Sequence, residues 1–255
     1  MSGFAKILPK WIKRPLLLLR DRGDAMHCPC CGWSFRRFWP SGVSPVEPNS
    51  MCPKCGSLPR HRLIWLFLER QPDLFGGRKR LLHIAPEPLL QRLFSRRPNI
   101  DYLSADLFSP LAMERIDLTD IQKPAGSFDA ILCVHVLEHI PDDRKAMSEM
   151  RRVLSPGGWA ILQSPVDWDR PTTLEDWSIT APAERLKYFG QEDHVRIYGA
   201  DYLDRLRSSG FEVERRAFAR ELDTASAARF GLDLSDDIVI CRVPPPAITG
   251  QAPRS

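Results

Sequence analysis

Residues Phe128–Ser164 read FDAILCVHVLEHIPDDRKAMSEMRRVLSPGGWAILQS, and the fold turns on this stretch. FDAILCV is an almost unbroken apolar run of strand length, the pattern of a strand buried on both faces. From Asp142 to Leu154 the spacing predicts a helix with Met147, Met150, Val153 and Leu154 turned inward. Gly157–Gly158 ends that helix and opens a second strand, Trp159–Gln163.

Strand and helix signals alternate on either side of this block. Upstream, Arg80–Ala85 reads as a strand, Leu89–Arg96 as a helix, Asp101–Ala105 as a strand and Met113–Leu118 as a weaker one. Downstream, Ala200–Ser208 reads as a helix, followed by closing strands at Phe211–Arg216 and Asp237–Val243. The expected fold is therefore α/β: a Rossmann-like, seven-stranded, mostly parallel sheet with helices on both faces. In such sheets a ligand lies beyond the carboxyl ends of the strands, which directs attention to the loops after residues 85, 105, 118, 134 and 164.

Ahead of this domain lie a basic segment (1–25) and a cysteine-rich segment (26–58) that reads as a small zinc-ribbon-like module. The helical spacing of PRHRLIWLFLERQ opens the domain proper, 59–243, and the tail 244–255 reads as disordered. With 255 residues, 43% of them hydrophobic, the chain can build one full core and a small appendage. No window approaches ~18 consecutive apolar residues, so a membrane span is not expected. The short run Pro15–Leu19 lacks the small-residue cleavage site of an export signal, and the expected location is the cytoplasm. Residues 1–100 carry 18 Lys and Arg against 6 Asp and Glu, and the remainder 18 against 26. Such a front half attracts anions or is simply a solvated basic surface.

Four of the seven cysteines form two knuckles, Cys28-Pro-Cys-Cys31-Gly and Cys52-Pro-Lys-Cys55-Gly. A two-residue spacer lets both sulfurs of each knuckle reach one tetrahedral ion, and the glycine permits the tight turn. Structural Zn²⁺ on Cys28, Cys31, Cys52 and Cys55 is expected, because four sulfurs leave no open coordination position. Cys30 is a spare that either competes with a ligand or stands as an exposed thiol. Lys54, Arg60 and Arg62 are available to offset the thiolate charge, and His27 and His61 flank the site.

The block Phe128–Ser164, with its FD-initiated strand, VLEHIPD segment and RVLSPGG turn, resembles the class I S-adenosylmethionine-dependent methyltransferases, in particular the type 11 group. The resemblance covers about residues 80–243 and implies S-adenosyl-L-methionine as cofactor. It places LLHIAPEPL (81–89) at the family's first cofactor loop, with a departure: His83 stands for the usual acid, Ala85 for the first glycine and Glu87 for the second. Ala85 is small enough for close backbone approach. Glu87 either accepts the α-ammonium group or caps the helix starting near Leu89, and the two roles are compatible. The resemblance further implies Asp106 for the ribose hydroxyls, and Asp117 with the Leu118 N–H for the adenine; Cys133 is placed in the cofactor set, while its apolar run reads it as a buried core thiol.

For the chemistry, His139 matches a histidine that faces the acceptor in similar enzymes and acts as general base, with His135 and His194 as further candidates. The competing reading has His139 packing on the next helix. Tyr188, Arg196 and Tyr198 in YFGQEDHVRIYGADYLDRL lie where acceptor specificity usually resides, as substrate contacts or as a network that holds the loop. Trp168 and Trp177 form a lid or cover the core.

Three functions follow. The leading one is methyl transfer to oxygen or nitrogen of a small metabolite or sugar-like acceptor. The second is RNA methylation, with the basic zinc module gripping phosphates. The third is a non-catalytic binding protein with a degenerate cofactor fold, motivated by the missing glycines.

Overall fold

The computed structural model describes residues 10–42, 46–71 and 76–245. Residues 1–9 of the expected basic segment and 246–255 of the expected tail lie outside the described residues. Among those described, no helix is long and apolar enough to cross a membrane.

The chain divides into two compact units, one of residues up to 71 with Ala217–Asp237, the other of 76–216 with 238–245. The sequence reading began the second domain at 59 and ran it unbroken to 243. In the structure, the helix Pro59–Glu69 and the segment 217–237 both fall in the first unit.

In that unit, α1 (Lys10–Arg20) precedes an antiparallel hairpin of β1 (Arg22–Cys28) and β2 (Trp33–Phe35). A second pair, β3 (Trp39–Ser41) and β4 (Glu47–Met51), follows, and then α2 (Pro59–Glu69). Each knuckle closes through its glycine. Gly32 N–H donates to Cys28 O at 2.8 Å and Gly56 N–H to Cys52 O at 2.9 Å. Both glycines are left-handed, at φ +71° and +77°.

Among the side chains that hold 217–237 here is Arg62 on α2, which is fully buried. Its Nη1 donates to Ser50 O (2.9 Å) and Ser57 O (2.6 Å), its Nε to Phe230 O (2.6 Å) and its Nη2 to Gly231 O (2.6 Å). The guanidinium also lies over the Phe38 ring at 4.5 Å. Gly231, at φ +60°, ends the helix Thr224–Phe230, and a Cβ there would come within 3.1 Å of Met26, Phe38 and Arg62.

The second unit is a seven-stranded sheet. Its strands are β5 (Lys79–Ile84), β6 (Ile100–Asp106), β7 (Glu114–Arg115), β8 (Phe128–Val134), β9 (Leu154–Gln163), β12 (Glu212–Arg216) and β13 (Ile238–Arg242). Two short strands, β10 (Leu174–Glu175) and β11 (Arg196–Ile197), pair separately. The sheet order is β12-β13-β9-β8-β5-β6-β7, parallel from β9 to β7 and antiparallel at β13 and β12. Six of the seven residues of FDAILCV are buried, as a central strand covered on both faces requires.

Arg80 lashes β5 to β8. Its backbone N–H and its Nη2 donate to Asp129 at 2.9 and 2.8 Å, and Nη2 also reaches Ser155 Oγ at 2.8 Å. A helix α3 (Pro88–Phe94) follows β5, and α4 (Asp143–Val153) joins β8 to β9. Asp142 caps α4 by accepting from Lys145 N–H at 3.0 Å, and Ala146, Met147, Met150 and Val153 form its buried face. One boundary differs from expectation. α4 stops at Val153, and β9 begins at Leu154 with the glycine pair inside it. A Cβ on Gly158 would sit 2.8 Å from Ser155 O and 3.2 Å from Asp129 O, so glycine is what lets the strand turn in against β8.

Candidate functional site

Chain order reverses on either side of β5, with β6 on one flank and β8 on the other. Beyond the carboxyl ends of these strands opens a cavity of about 730 Å³. Its wall includes Ala85, Asp106, Asp117, Leu118, His135 and His139.

Two of these residues carry unusual backbone. Ala85, at φ +45°, and His135, at φ +55°, are the first residues past β5 and β8. A side-chain-bearing residue in the left-handed region costs roughly 1–2 kcal/mol, so the surroundings must enforce it. They do: Ala85 N–H donates to Ala105 O at 2.8 Å and His135 N–H to Gln163 O at 2.7 Å. Ala85 thus adopts a backbone conformation that ordinarily favours glycine.

The carboxylates are held by short turns. Asp106 Oδ1 accepts from the N–H groups of Phe108 and Ser109, each at 2.7 Å. Asp117 Oδ1 accepts from Thr119 N–H and Oγ1, each at 2.8 Å, and these bonds pull its pKa below the usual carboxylate range. Each Oδ2 has no partner among the described residues.

His83, Glu87 and Cys133 are not in the wall. His83 is fully buried, with Nδ1 3.0 Å from Tyr102 Oη and Nε2 3.0 Å from Glu87 Oε2. The carboxylate expected to meet an α-ammonium group is thus engaged by His83. Glu87 stands at the N-cap position of α3 without a side-chain cap bond. Cys133 is buried inside the sheet, and desolvation drives its thiol pKa well up.

Past His135 a 3-10 turn, Leu137–His139, buries Glu138 and leaves His139 at the cavity. Ser164 Oγ donates to Glu138 Oε2 at 3.0 Å, and His135 Nδ1 lies 3.5 Å from Oε1. His139 Nδ1 lies 3.3 Å from Asp193 O and 3.2 Å from Asp193 Oδ2. His194 is buried edge-on against His139, ring centroids 4.7 Å apart, with its Nδ1 donating to Phe189 O at 3.0 Å. Burial pushes the pKa of His194 down.

The expected acceptor contacts lie elsewhere. Arg196 is buried, donating to Leu137 O (3.0 Å), Ile140 O (2.6 Å), Pro141 O (2.8 Å) and Glu175 Oε2 (3.0 Å). Tyr198 Oη donates to Asp143 Oδ2 at 2.7 Å, and Arg205 pairs with both Asp143 and Glu175. Arg196 and Tyr198 are thus engaged in a network that holds the loop after β8, the second of the two roles expected for them. Tyr188 is exposed, with Lys187 over its ring at 4.9 Å. Trp177 is exposed, whereas Trp168 packs against the core beneath Arg215.

In the first unit, the sulfurs of Cys28, Cys31, Cys52 and Cys55 lie within 4.8 Å of one another. The Cys28–Cys55 and Cys31–Cys52 separations are 3.5 and 3.8 Å. A tetrahedron with Zn–S of ~2.3 Å has S···S edges of ~3.8 Å, so the spacing suits that ion. Cys30 is buried rather than exposed, its Sγ 3.9 Å from His61 O. His61 Nδ1 accepts from Leu58 N–H at 3.2 Å and so caps α2, while His27 Nδ1 lies 3.0 Å from Ser34 Oγ.

Sequence reasoning gave no role to Glu138, Asp193, Asp143, Glu175 or Arg205. For Glu138 a signal existed: an acid between two histidines, among Val136, Leu137 and Ile140, is a group folded inward.

Over residues 35–215, more than half of its length, the chain matches a family model described as a methyltransferase domain. It is 29% identical over 138 residues to 27-O-demethylrifamycin SV methyltransferase of Amycolatopsis mediterranei, covering 52% of this chain and 49% of that protein. It is 28% identical over 75 residues to a ubiquinone biosynthesis O-methyltransferase of Albidiferax ferrireducens, covering 29% and 26%. The chain thus spans about half or less of the length of these curated relatives. A crystal structure of a SAM-dependent methyltransferase from Archaeoglobus fulgidus superposes with a TM-score of 0.48 at 14% identity, covering 71% of this chain and 93% of that one.

Proposed function

The chain belongs to the methyltransferase-domain family, and from that membership we propose that it moves the methyl group of S-adenosylmethionine to an oxygen or nitrogen atom of a small-molecule acceptor. The observation that carries this reading is the cavity at the switch point, walled by Asp106 and Asp117 with an Oδ2 of each unspent. Asp106 accepts the ribose hydroxyls. Asp117 accepts from the adenine amino group, and the Leu118 N–H donates to the purine. Ala85, already in a glycine's conformation, lets the ligand lie close on the backbone.

When bound, S-adenosylmethionine supplies an electrophilic methyl sulfonium, so the protein chiefly has to align an acceptor with it. His139 is the group through which we place the loss of the acceptor's proton, because it lines the cavity while His194 is buried against it. His83 and Glu87 fix the course of the loop after β5, and Cys133 packs the sheet. The relatives' names, O-methyltransferases among them, favour a small acceptor. In the first unit, Cys28, Cys31, Cys52 and Cys55 hold one structural Zn²⁺, and the spacing of their sulfurs supports that assignment.

Calorimetry tests the reading. S-adenosylmethionine binds the wild-type chain, and Asp106→Ala weakens it about tenfold or more, the loss of charge-assisted hydrogen bonds of ~1.5–3 kcal/mol. Absence of binding heat at millimolar ligand would defeat it.

A further inference from the structure

We propose that Glu138, His139 and His194 form a divalent-cation site at the wall of the cavity. A carboxylate oxygen of Glu138 and a ring nitrogen of each histidine lie within 4.8 Å of one another. Proximity alone is common, and the hydrogen bonds around the cluster say more.

A carbonyl oxygen can only accept. His194 Nδ1, 3.0 Å from Phe189 O, therefore carries a proton, as does His139 Nδ1, 3.3 Å from Asp193 O. In the neutral rings the lone pair is then at Nε2. For His194, which is 4% exposed, that nitrogen is buried and meets no donor among the described residues. An unsatisfied buried acceptor costs on the order of 1–3 kcal/mol, and a metal ion is one partner that relieves it.

The same pattern, one ring nitrogen donating to a carbonyl or carboxylate while the other is left bare, is how metal-bound histidines are oriented. Here the orienting groups are Phe189 O for His194, and Asp193 O and Oδ2 for His139. Glu138 is oriented by Ser164, and its carbonyl accepts from Val195 N–H at 3.0 Å, which ties the turn carrying Glu138 and His139 to the loop carrying His194. Two imidazoles and a carboxylate suit a first-row divalent ion. Three protein ligands leave positions open on the side where His139 meets the cavity. Resting on the methyltransferase reading, the ion replaces His139 as the group that eases proton loss, since the lone pair of His139 is then spent as a ligand: an acceptor hydroxyl bound at an open position loses its proton to solvent at lower pH than it would in water.

The probe is Mn²⁺, which disfavours thiolates and so reports on this site rather than the cysteines. Full-length protein retaining its zinc is titrated with Mn²⁺, followed by loss of the free-ion electron paramagnetic resonance signal. One Mn²⁺ per chain is expected, with affinity reduced about tenfold or more in His194→Ala and, as a milder second variant, in His139→Gln. Wild-type affinity for S-adenosylmethionine in a variant establishes that its fold is intact. No Mn²⁺ binding by the wild-type chain at millimolar ion, or unchanged affinity in a variant that still binds S-adenosylmethionine, overturns the proposal. Mn²⁺ binding that the variants lose, in a chain that never binds S-adenosylmethionine, upholds the cation site and removes the methyltransferase reading instead.

Discussion

Arg62 Nη2 donates to the carbonyl oxygen of Gly231 at 2.6 Å, joining residues 169 positions apart. With the parallel bond from Nε to Phe230 O, the planar guanidinium grips two consecutive carbonyls, while Nη1 holds the carbonyls of Ser50 and Ser57 beside the second cysteine knuckle. Burial lowers the pKa of Arg62, and the neighbouring cysteine sulfurs oppose that shift. One side chain thus serves both the cysteine cluster and the segment after β12.

Arg62→Lys keeps the charge but cannot reproduce a fork of this geometry. A loss of about 3 kcal/mol is expected, the scale of breaking a buried charged network. Protease sensitivity should increase within 217–237. Chemical denaturation followed by zinc content and limited proteolysis reads both effects, and an unmoved unfolding midpoint would contradict the role given to the fork.

Arg196 makes an opposed pair of expectations separable. If it held an acceptor's anionic group, its replacement would alter turnover and spare stability. Its bonds to the carbonyls of Leu137, Ile140 and Pro141 predict the reverse, with Arg196→Lys costing roughly 2–4 kcal/mol in urea unfolding. A variant as stable as the wild-type chain would return Arg196 to the list of substrate contacts.

Acid stability reports on the Arg80–Asp129 pair. Its hydrogen bonds with Arg80 hold the Asp129 carboxyl at about 2, below its ordinary 3.8. The depressed value means that the stabilisation is complete above the unfolded-state pKa and is lost as the pH falls through the folded one. Asp129→Asn should therefore flatten the decline in stability between about pH 4 and about pH 2. At neutral pH it should cost no more than ~1 kcal/mol, since both partners are partly exposed. Unfolding curves taken across that range for both proteins decide the matter, and identical acid slopes would count against the pair.

What was legible in the sequence follows from what each element must bury. FDAILCV announces itself because a central parallel strand is covered on both faces, and the position of Asp106 and Asp117 at the cavity wall could be expected because they stand at or just past strand ends. The fate of Glu87 was not, since it depends on His83 being held in turn by Tyr102, a partner supplied by the neighbouring strand β6. Arg196 and Tyr198 stayed open between two roles for the same reason: polar residues near a site look alike in sequence whether they face a ligand or the carbonyls of their own loop. The allegiance of 217–237 was hidden most completely. Its helices, Phe218–Glu221 and Thr224–Phe230, are too short to show a period, and the side chains that hold them, Arg62, Phe67 and Asp24 among them, lie far away in the sequence.

The placement of Gly231 has a consequence for how the molecule is made. The carbonyls that complete the bonding of Arg62 belong to residues 230 and 231, so they emerge from the ribosome long after both cysteine pairs have been translated. A nascent chain halted before that point has its thiols but not the partners that fix the arginine beside them. The bonding of Arg62 at the front of this protein is therefore complete only once residue 231 has been synthesised.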